Sequence, residues 1–240
     1  LLDEDMEPVI MTVHYPRETV HSTFKTDESG SFMLPDRLSA GIYYFRELQA
    51  PDGYLVNKEL IKFEIRENHE WGDPFVVEFP DRPAKGKIYI RKTDEDTGEP
   101  LSGAKFEICA KEDILTPAGS VRVPAGSKVS TIVTDEKGEG QSDSLYLGKY
   151  EIRETEQPSG YVLPEETYEV ELEYNGQETE LLSAEVKITN KPVKVSLKKK
   201  EEGTENGLKG VKFAVWEKET PEEETIYVTD KEGWIEIKYL

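Results

Sequence analysis

The chain has 240 residues, of which 33% are charged, and a formal net charge of −20. This acidic balance argues against nucleic acid as a partner, because phosphate binding needs clustered Lys and Arg, and it disfavours an anionic membrane surface for the same reason. No apolar run approaches the length that crosses a bilayer, so we expect no membrane insertion in this segment.

The predicted elements are β-strands and turns from one end of the chain to the other. A strand that begins at Ile42 ends before the turn of residues 51–53. Two acidic, glycine-containing turns lie at residues 94–98 and 136–138. Six β-rich stretches occupy the middle of the chain, at Lys87–Lys92, Ala104–Ala110, Lys128–Val133, Lys149–Glu154, Thr167–Tyr174 and Leu182–Thr189. Short strands at regular spacing, without an amphipathic helix, predict an all-β fold of antiparallel β-sandwich domains.

Internal repeats predict more than one such domain. A Thr-Asp-x-x-Gly turn occurs three times, and two longer sets of markers recur at a spacing of 107 positions. The Glu-Pro-Gly-Tyr set begins at Glu47 and again at Glu154, and the Lys-Leu-Gly-Phe set begins at Lys92 and again at Lys199. Several independent markers at one spacing indicate repeated domains, since the repeat of a solenoid is much shorter.

We therefore interpret the chain as three copies of one domain and expect it to be a piece of a longer protein. The first copy, residues 1–83, lacks its opening strands, the second, residues 84–191, is complete, and the third, residues 192–240, lacks its second half. The joins at residues 81–86 and 190–192 are short and contain proline. Short joins favour a stiff rod over flexibly linked domains.

Three polar residues of the middle copy continue the apolar face of a strand. By period-two alternation, Lys92, Glu154 and Asn190 each lie in phase with apolar residues two and four positions earlier. A buried amine or carboxylate without a partner is expensive. A single polar residue in such a position can be explained by a strand that leaves the core at that point. Three polar residues that each continue the apolar face of a strand instead indicate a shared site.

The motifs resemble those of Cna B-type domains, also called SpaA-type or prealbumin-like domains. The resemblance covers essentially the whole chain and rests on separated motifs in order, at Lys92-Thr93-Asp94, Pro100-Leu101-Ser102-Gly103-Ala104, Thr134-Asp135-Glu136-Lys137-Gly138, Glu154-Thr155, Pro158-Ser159-Gly160-Tyr161 and Asn190-Lys191-Pro192. It implies an immunoglobulin-like, prealbumin-like sandwich. It also implies an extracellular location on the Gram-positive cell surface or cell wall, where such domains build pilins and surface adhesins.

The resemblance further implies a covalent cross-link. Many such domains form their own isopeptide bond between a Lys and an Asn or Asp, promoted by a Glu. Carried over to this sequence, the bond joins Lys92 to Asn190 with Glu154 as the catalytic residue. The first copy keeps two members of the set, Glu47 as the catalytic equivalent and Asp81 as an unpaired equivalent of Asn190, and the third copy keeps only Lys199, an unpaired equivalent of Lys92.

This chemistry agrees with the expected burial of the three side chains. Burial disfavours a charged amine, so Lys92 becomes a nucleophile. Burial also favours a protonated Glu154, which we expect to donate to the side-chain carbonyl of Asn190 as ammonia leaves. The reaction is a single turnover, so we predict no enzyme activity on other molecules, and we expect neither a cofactor nor a metal site.

The sequence therefore favours a structural stalk segment of a bacterial surface protein or pilin, whose partners are neighbouring copies of the same domain. Two alternatives stay open. One is an adhesin module that binds a host protein or glycan, for which the insertion Glu112–Lys128 is the place to look. The other is a spacer of a surface enzyme whose catalytic domain lies elsewhere.

Overall fold

The computed structural model describes residues 1–14, 16–67, 75–116, 119–216 and 223–239. Within these ranges every regular element is a β-strand, and most of the strand pairs are antiparallel. The predicted all-β fold of antiparallel sheets is therefore confirmed. In the same ranges, no helix combines the length and the hydrophobicity that a membrane span requires.

The chain divides into two compact units. Unit 1 comprises Leu1–Lys85 and Tyr174–Leu182, and unit 2 comprises Gly86–Glu173 and Ser183–Leu240. Unit 2 thus takes in both the middle copy and the residues assigned to the third copy. The division into three copies at residues 83 and 191 stays a prediction.

Unit 1 is built from three two-stranded sheets, which pair β1 with β2, β3 with β5, and β4 with β6. Its strands are β1 (Met11–Val13), β2 (Thr19–His21), β3 (Gly41–Phe45), β4 (Tyr54–Leu55), β5 (Ile61–Ile65) and β6 (Arg82–Pro83). The core contains Leu1, Met11 and Phe63, and the rings of Phe45 and Phe63 stack with centroids 5.0 Å apart. Aromatic side chains therefore provide much of the core packing in this unit, whose strands are short.

The middle copy in unit 2 is a sandwich of two four-stranded sheets. One sheet has the order β11-β8-β14-β15, and the other places β12, β13 and β16 around β7. The strands are β7 (Lys85–Asp94), β8 (Lys105–Ala110), β9 (Ile114–Leu115), β10 (Val121–Val123), β11 (Lys128–Val133), β12 (Glu139–Gln141), β13 (Leu145–Tyr146), β14 (Gly148–Glu156), β15 (Thr167–Leu172) and β16 (Leu181–Asn190). All six predicted stretches form strands, and β9 pairs with β10 inside the insertion.

Strict alternation places the core between the two sheets. On β7, Ile88 and Ile90 point inward, and on β14 Tyr150 and Ile152 do the same, each being at most 2% exposed. Ile152 pairs with Ile108 of β8 on one side and with Tyr168 of β15 on the other. The inner faces are thus apolar until the strands reach one end of the sandwich.

The third copy contributes two further antiparallel strand pairs. Its strands are β17 (Lys194–Lys198), β18 (Lys212–Val215), β19 (Thr225–Val228) and β20 (Trp234–Lys238), and β17 pairs with β20 while β18 pairs with β19. The backbone of Lys199 repeats that of Lys92: each amide donates to a turn glycine, Gly233 or Gly138, over 2.7 Å. The sequence repeat is therefore also a repeat of backbone hydrogen bonds.

Gly138 gives a first testable prediction, because its φ is 70° and an added Cβ would lie 2.3 Å from the carbonyl oxygen of Lys92. We expect Gly138→Ala to destabilise the middle copy by about 3 kcal/mol, since strain and a backbone clash add. Gly98, with a φ of 77° and open space around it, is the matched control. Gly98→Ala should cost only the strain, about 1 to 2 kcal/mol. Equal losses in urea denaturation would show that the close approach is unimportant.

Candidate functional site

The three polar residues predicted from the sequence meet at one end of the middle-copy sandwich. Lys92 lies near the end of β7 and Asn190 is the last residue of β16, which pairs with β7, while Glu154 lies on β14 in the facing sheet. Their exposed fractions are 0% for Lys92 and 2% for Glu154 and Asn190. The alternation that buries the isoleucines also delivers these groups into the core.

The hydrogen bonding within this cluster is incomplete. The Nδ2 amide of Asn190 donates to Oε1 of Glu154 over 2.6 Å, so the two sheets are in contact through this pair. Three buried atoms have no hydrogen-bond partner among the described residues: Lys92 Nζ, Glu154 Oε2 and Asn190 Oδ1. Each unsatisfied buried polar group costs about 1 to 3 kcal/mol. The fold therefore maintains an expensive arrangement at this position.

Burial also changes the proton affinity of the two ionisable groups. It lowers the pKa of Lys92 to about 8, against the opposing charges of Glu154 and Asp94. It raises the pKa of Glu154, against the hydrogen bond from Asn190 and the charge of Lys92. The lowered pKa makes the neutral form of the Lys92 amine more accessible near pH 7 than that of an exposed lysine. The cluster thus combines an available nucleophile with a carboxyl group that retains a proton more readily.

The orientation of Asn190 differs from the sequence-based expectation. We expected Glu154 to face the carbonyl oxygen of the Asn190 side chain, but in the structure it contacts the amide nitrogen. That nitrogen is the atom that must leave as ammonia if the side chain is attacked by an amine. Glu154 therefore lies where it can deliver a proton to the leaving group.

The sequence did not single out Asp94, which lies two residues beyond Lys92 on the inner face of β7 and is only 2% exposed. Its Oδ1 accepts hydrogen bonds from the amides of Asp96 and Thr97, and its Oδ2 accepts one from the Tyr161 hydroxyl over 2.7 Å. Burial raises the pKa of Asp94, but these hydrogen bonds outweigh it and hold the pKa at about 2. The period-two alternation of the strand could have indicated that Asp94 is buried, because Asp94 lies two residues after Lys92 and therefore on the same face.

Unit 1 contains the predicted first-copy pair, Glu47 and Asp81, in contact. The two carboxyl groups lie close enough to interact, which disfavours the state in which both are charged. Glu47 Oε2 also accepts a hydrogen bond from the Asn57 amide over 2.6 Å, whereas Asp81 Oδ1 is buried without one. Burial raises the pKa of both residues, and the neighbouring Asp81 charge raises that of Glu47 further.

This carboxyl pair predicts a pH dependence of unit 1. Because the folded pKa values lie above the unfolded ones, the stabilisation is fully present below the unfolded pKa and is lost as the pH rises through the folded pKa. Asp81→Asn removes one of the two carboxyl groups and its charge beside Glu47, so the stability lost on raising the pH should be smaller in the variant than in the wild type. Hydrogen exchange of the Asn57 amide measures the difference. The exposed Glu59→Gln is the control, and the same pH dependence in Asp81→Asn as in the wild type would contradict the prediction.

Lys199, the third-copy equivalent, follows β17 and is exposed. The structure therefore does not bury it as it buries Lys92. All three members of the predicted set come together in the middle copy. The first copy contains two members and the third copy contains one.

The family of the chain follows from a comparison with family models. The model of the SpaA domain, described as a prealbumin-like fold domain, matches residues 3–73 and 86–190. The chain therefore belongs to the SpaA prealbumin-like family, as the motifs around Lys92, Glu154 and Asn190 indicated. No curated protein matches the chain at a significant level.

The chain also matches several solved structures. The Bacillus anthracis TIE protein is 26% identical over 99% of this chain and 41% of its own chain, with a TM-score of 0.58. The major pilin SpaD of Corynebacterium diphtheriae is 23% identical over 51% of this chain and 33% of its own, and the Bacillus cereus major pilin BcpA is 22% identical over 60% and 40%; both have a TM-score of 0.36. This chain thus spans about two fifths of the length of the TIE protein.

Proposed function

We propose that this chain is a stalk segment of a Gram-positive cell-surface protein, and that its middle copy is cross-linked by an isopeptide bond between Lys92 and Asn190. The observation that carries the proposal is the buried cluster with an unpartnered amine, an unpartnered carboxyl oxygen and an unpartnered amide oxygen. Bond formation converts the two reactants into one neutral amide. Membership of the SpaA family and the tandem repeats support the structural role.

The proposed reaction needs no other reactant. The neutral Nζ of Lys92 attacks Cγ of Asn190, and the C–N bond to Nδ2 breaks as the new C–N bond forms. A proton leaves Nζ, and Glu154 passes one proton to Nδ2, so that ammonia departs and Glu154 ends in its starting state. Because the site turns over once, the product is a linked domain rather than a released molecule.

A stalk must resist extension, and the proposed bond supplies that resistance. The bond transmits an applied force directly from Lys92 to Asn190, so the residues between them bear no load. In single-molecule pulling from the chain ends, the wild type should show no step for this loop. Glu154→Gln should restore a step of roughly 330 Å, the extended length of residues 92 to 190. A step of that length in the wild type would contradict the proposal.

A further inference from the structure

The acidic turn of residues 94–98, at the end of β7, is engaged by the third copy within unit 2. Asp96 Oδ2 lies 2.9 Å from Lys194 Nζ and 2.7 Å from Lys238 Nζ, so one carboxylate binds a lysine from β17 and another from β20. These ion pairs are about one-third exposed at Asp96. They form the outer part of the contact.

Tyrosines form the inner part of the same contact. The buried carboxylate of Asp94 accepts a hydrogen bond from the Tyr161 hydroxyl of the middle copy over 2.7 Å, and the Tyr239 hydroxyl of the third copy lies near enough to help stabilise its charge. The two rings lie with centroids 5.7 Å apart. A buried carboxylate that accepts a hydrogen bond from one phenol and lies beside a second is a more directional contact than an exposed ion pair. It therefore fixes a position as well as holding the two copies together.

The backbone around Tyr239 also fits the contact closely. Val193 donates to the carbonyl of Gly160 over 2.8 Å, and Tyr239 donates to the carbonyl of Val193 over 2.9 Å. Tyr239 has a φ of 63°, which is unusual for a bulky residue. A Cβ added to Gly160 would lie 3.1 Å from the backbone of Tyr239. The backbones of Gly160 and Tyr239 are therefore in close contact.

Two residues of this contact, Lys238 and Tyr239, do not belong to the general repeat. Lys238 and Tyr239 are the fifth and sixth residues after the turn glycine Gly233. The fifth and sixth residues after Gly138, the equivalent glycine of the middle copy, are Asp143 and Ser144. Neither Asp143 nor Ser144 supplies a cation or a phenol, so the fold of the domain does not require this pair.

We propose that the turn of residues 94–98 and the loop of residues 158–161 are a docking surface for the third copy, and that Lys194, Lys238 and Tyr239 lock the joint between the two copies at one angle in solution. This surface fits a following copy of the domain that has a lysine and a tyrosine at the end of the strand equivalent to β20. The inference does not depend on the cross-link, because it concerns groups that the proposed reaction leaves unchanged.

The experiment measures the distance between the two copies by electron–electron resonance. Spin labels are placed at the exposed positions Glu171 and Lys212, in a Cys109→Ser background of the full chain. The unmodified joint should give one narrow distance distribution at low salt. Lys238→Ala combined with Tyr239→Ala should lose the narrow peak and give a broad distribution.

Two controls separate docking from general destabilisation. Lys200→Ala removes an ion pair of the same length, 2.7 Å to Glu205 within the third copy, and should leave the narrow peak intact. Tyr239→Phe keeps the ring and removes only the hydroxyl beside Asp94, so hydrogen exchange at the Tyr239 amide should accelerate less than in the double variant carrying Tyr239→Ala. A broad distribution in the unmodified joint, or a narrow one in the double variant, would overturn the proposal. The intact mass of the same samples reports the cross-link separately.

Discussion

Glu154→Gln should abolish the covalent link between Lys92 and Asn190 while leaving the middle copy folded. The substitution keeps the size of the side chain but removes the group that moves protons between the amine and the leaving nitrogen, which it contacts at 2.6 Å. Tryptic mapping provides the measurement. In the linked protein, trypsin no longer cleaves after Lys92, and the segments around Lys92 and Asn190 elute as one branched peptide.

Glu156→Gln is the matched control for this prediction. Glu156 lies on the same strand, β14, but it is exposed and pairs with Lys105 over 2.8 Å. We expect this variant to retain the branched peptide in full. Lys92→Met and Asn190→Ala should both lose it, since each removes one reactant. A branched peptide in folded Glu154→Gln would remove Glu154 from the mechanism.

The unlinked variants should also be much less stable than the wild type. A cross-link that closes a loop of about 100 residues stabilises a fold by roughly 4 to 5 kcal/mol, mainly by restricting the unfolded chain. For a domain of this size the loss corresponds to a fall of roughly 20 °C in the melting temperature. Calorimetry should therefore find the transition of the middle copy at a much lower temperature in Lys92→Met, which removes the amine but keeps an unbranched side chain.

The comparison needs a control for the change of a buried side chain. Ile90→Val is a suitable control, because Ile90 lies on the same face of β7, two residues before Lys92, and is 2% exposed. It should cost about 0.5 to 1.5 kcal/mol and keep the link. If Lys92→Met melts no earlier than Ile90→Val, the account of stabilisation by cross-linking is wrong.

Period-two alternation made most of the middle copy predictable from its sequence. A strand has only two faces, so apolar residues such as Ile88 and Ile90 also fix the direction of Lys92. The same reasoning placed Glu154 and Asn190 on inner faces, and the structure brings all three together. The strands β12 and β13 were not predicted, because two or three residues are too few to show a period.

Contacts between distant parts of the chain were beyond the sequence. Asp94 has the parity of a buried residue, but the phenols of Tyr161 and Tyr239 that stabilise its charge come from far along the chain. The orientation of the Asn190 amide depends on the position of Glu154 across the sandwich, which no local pattern encodes. The repeats identified equivalent residues, yet only the structure distinguishes the buried Lys92 from the exposed Lys199.

The intact mass of the folded wild-type chain tests the central claim most directly. Formation of the bond between Lys92 and Asn190 releases one ammonia and changes nothing else in the covalent structure. The account predicts a mass lower than the sequence mass by one ammonia, measured after denaturation, with the sequence mass restored in Lys92→Met when the substitution is allowed for. A folded wild-type chain with the full sequence mass would contradict it.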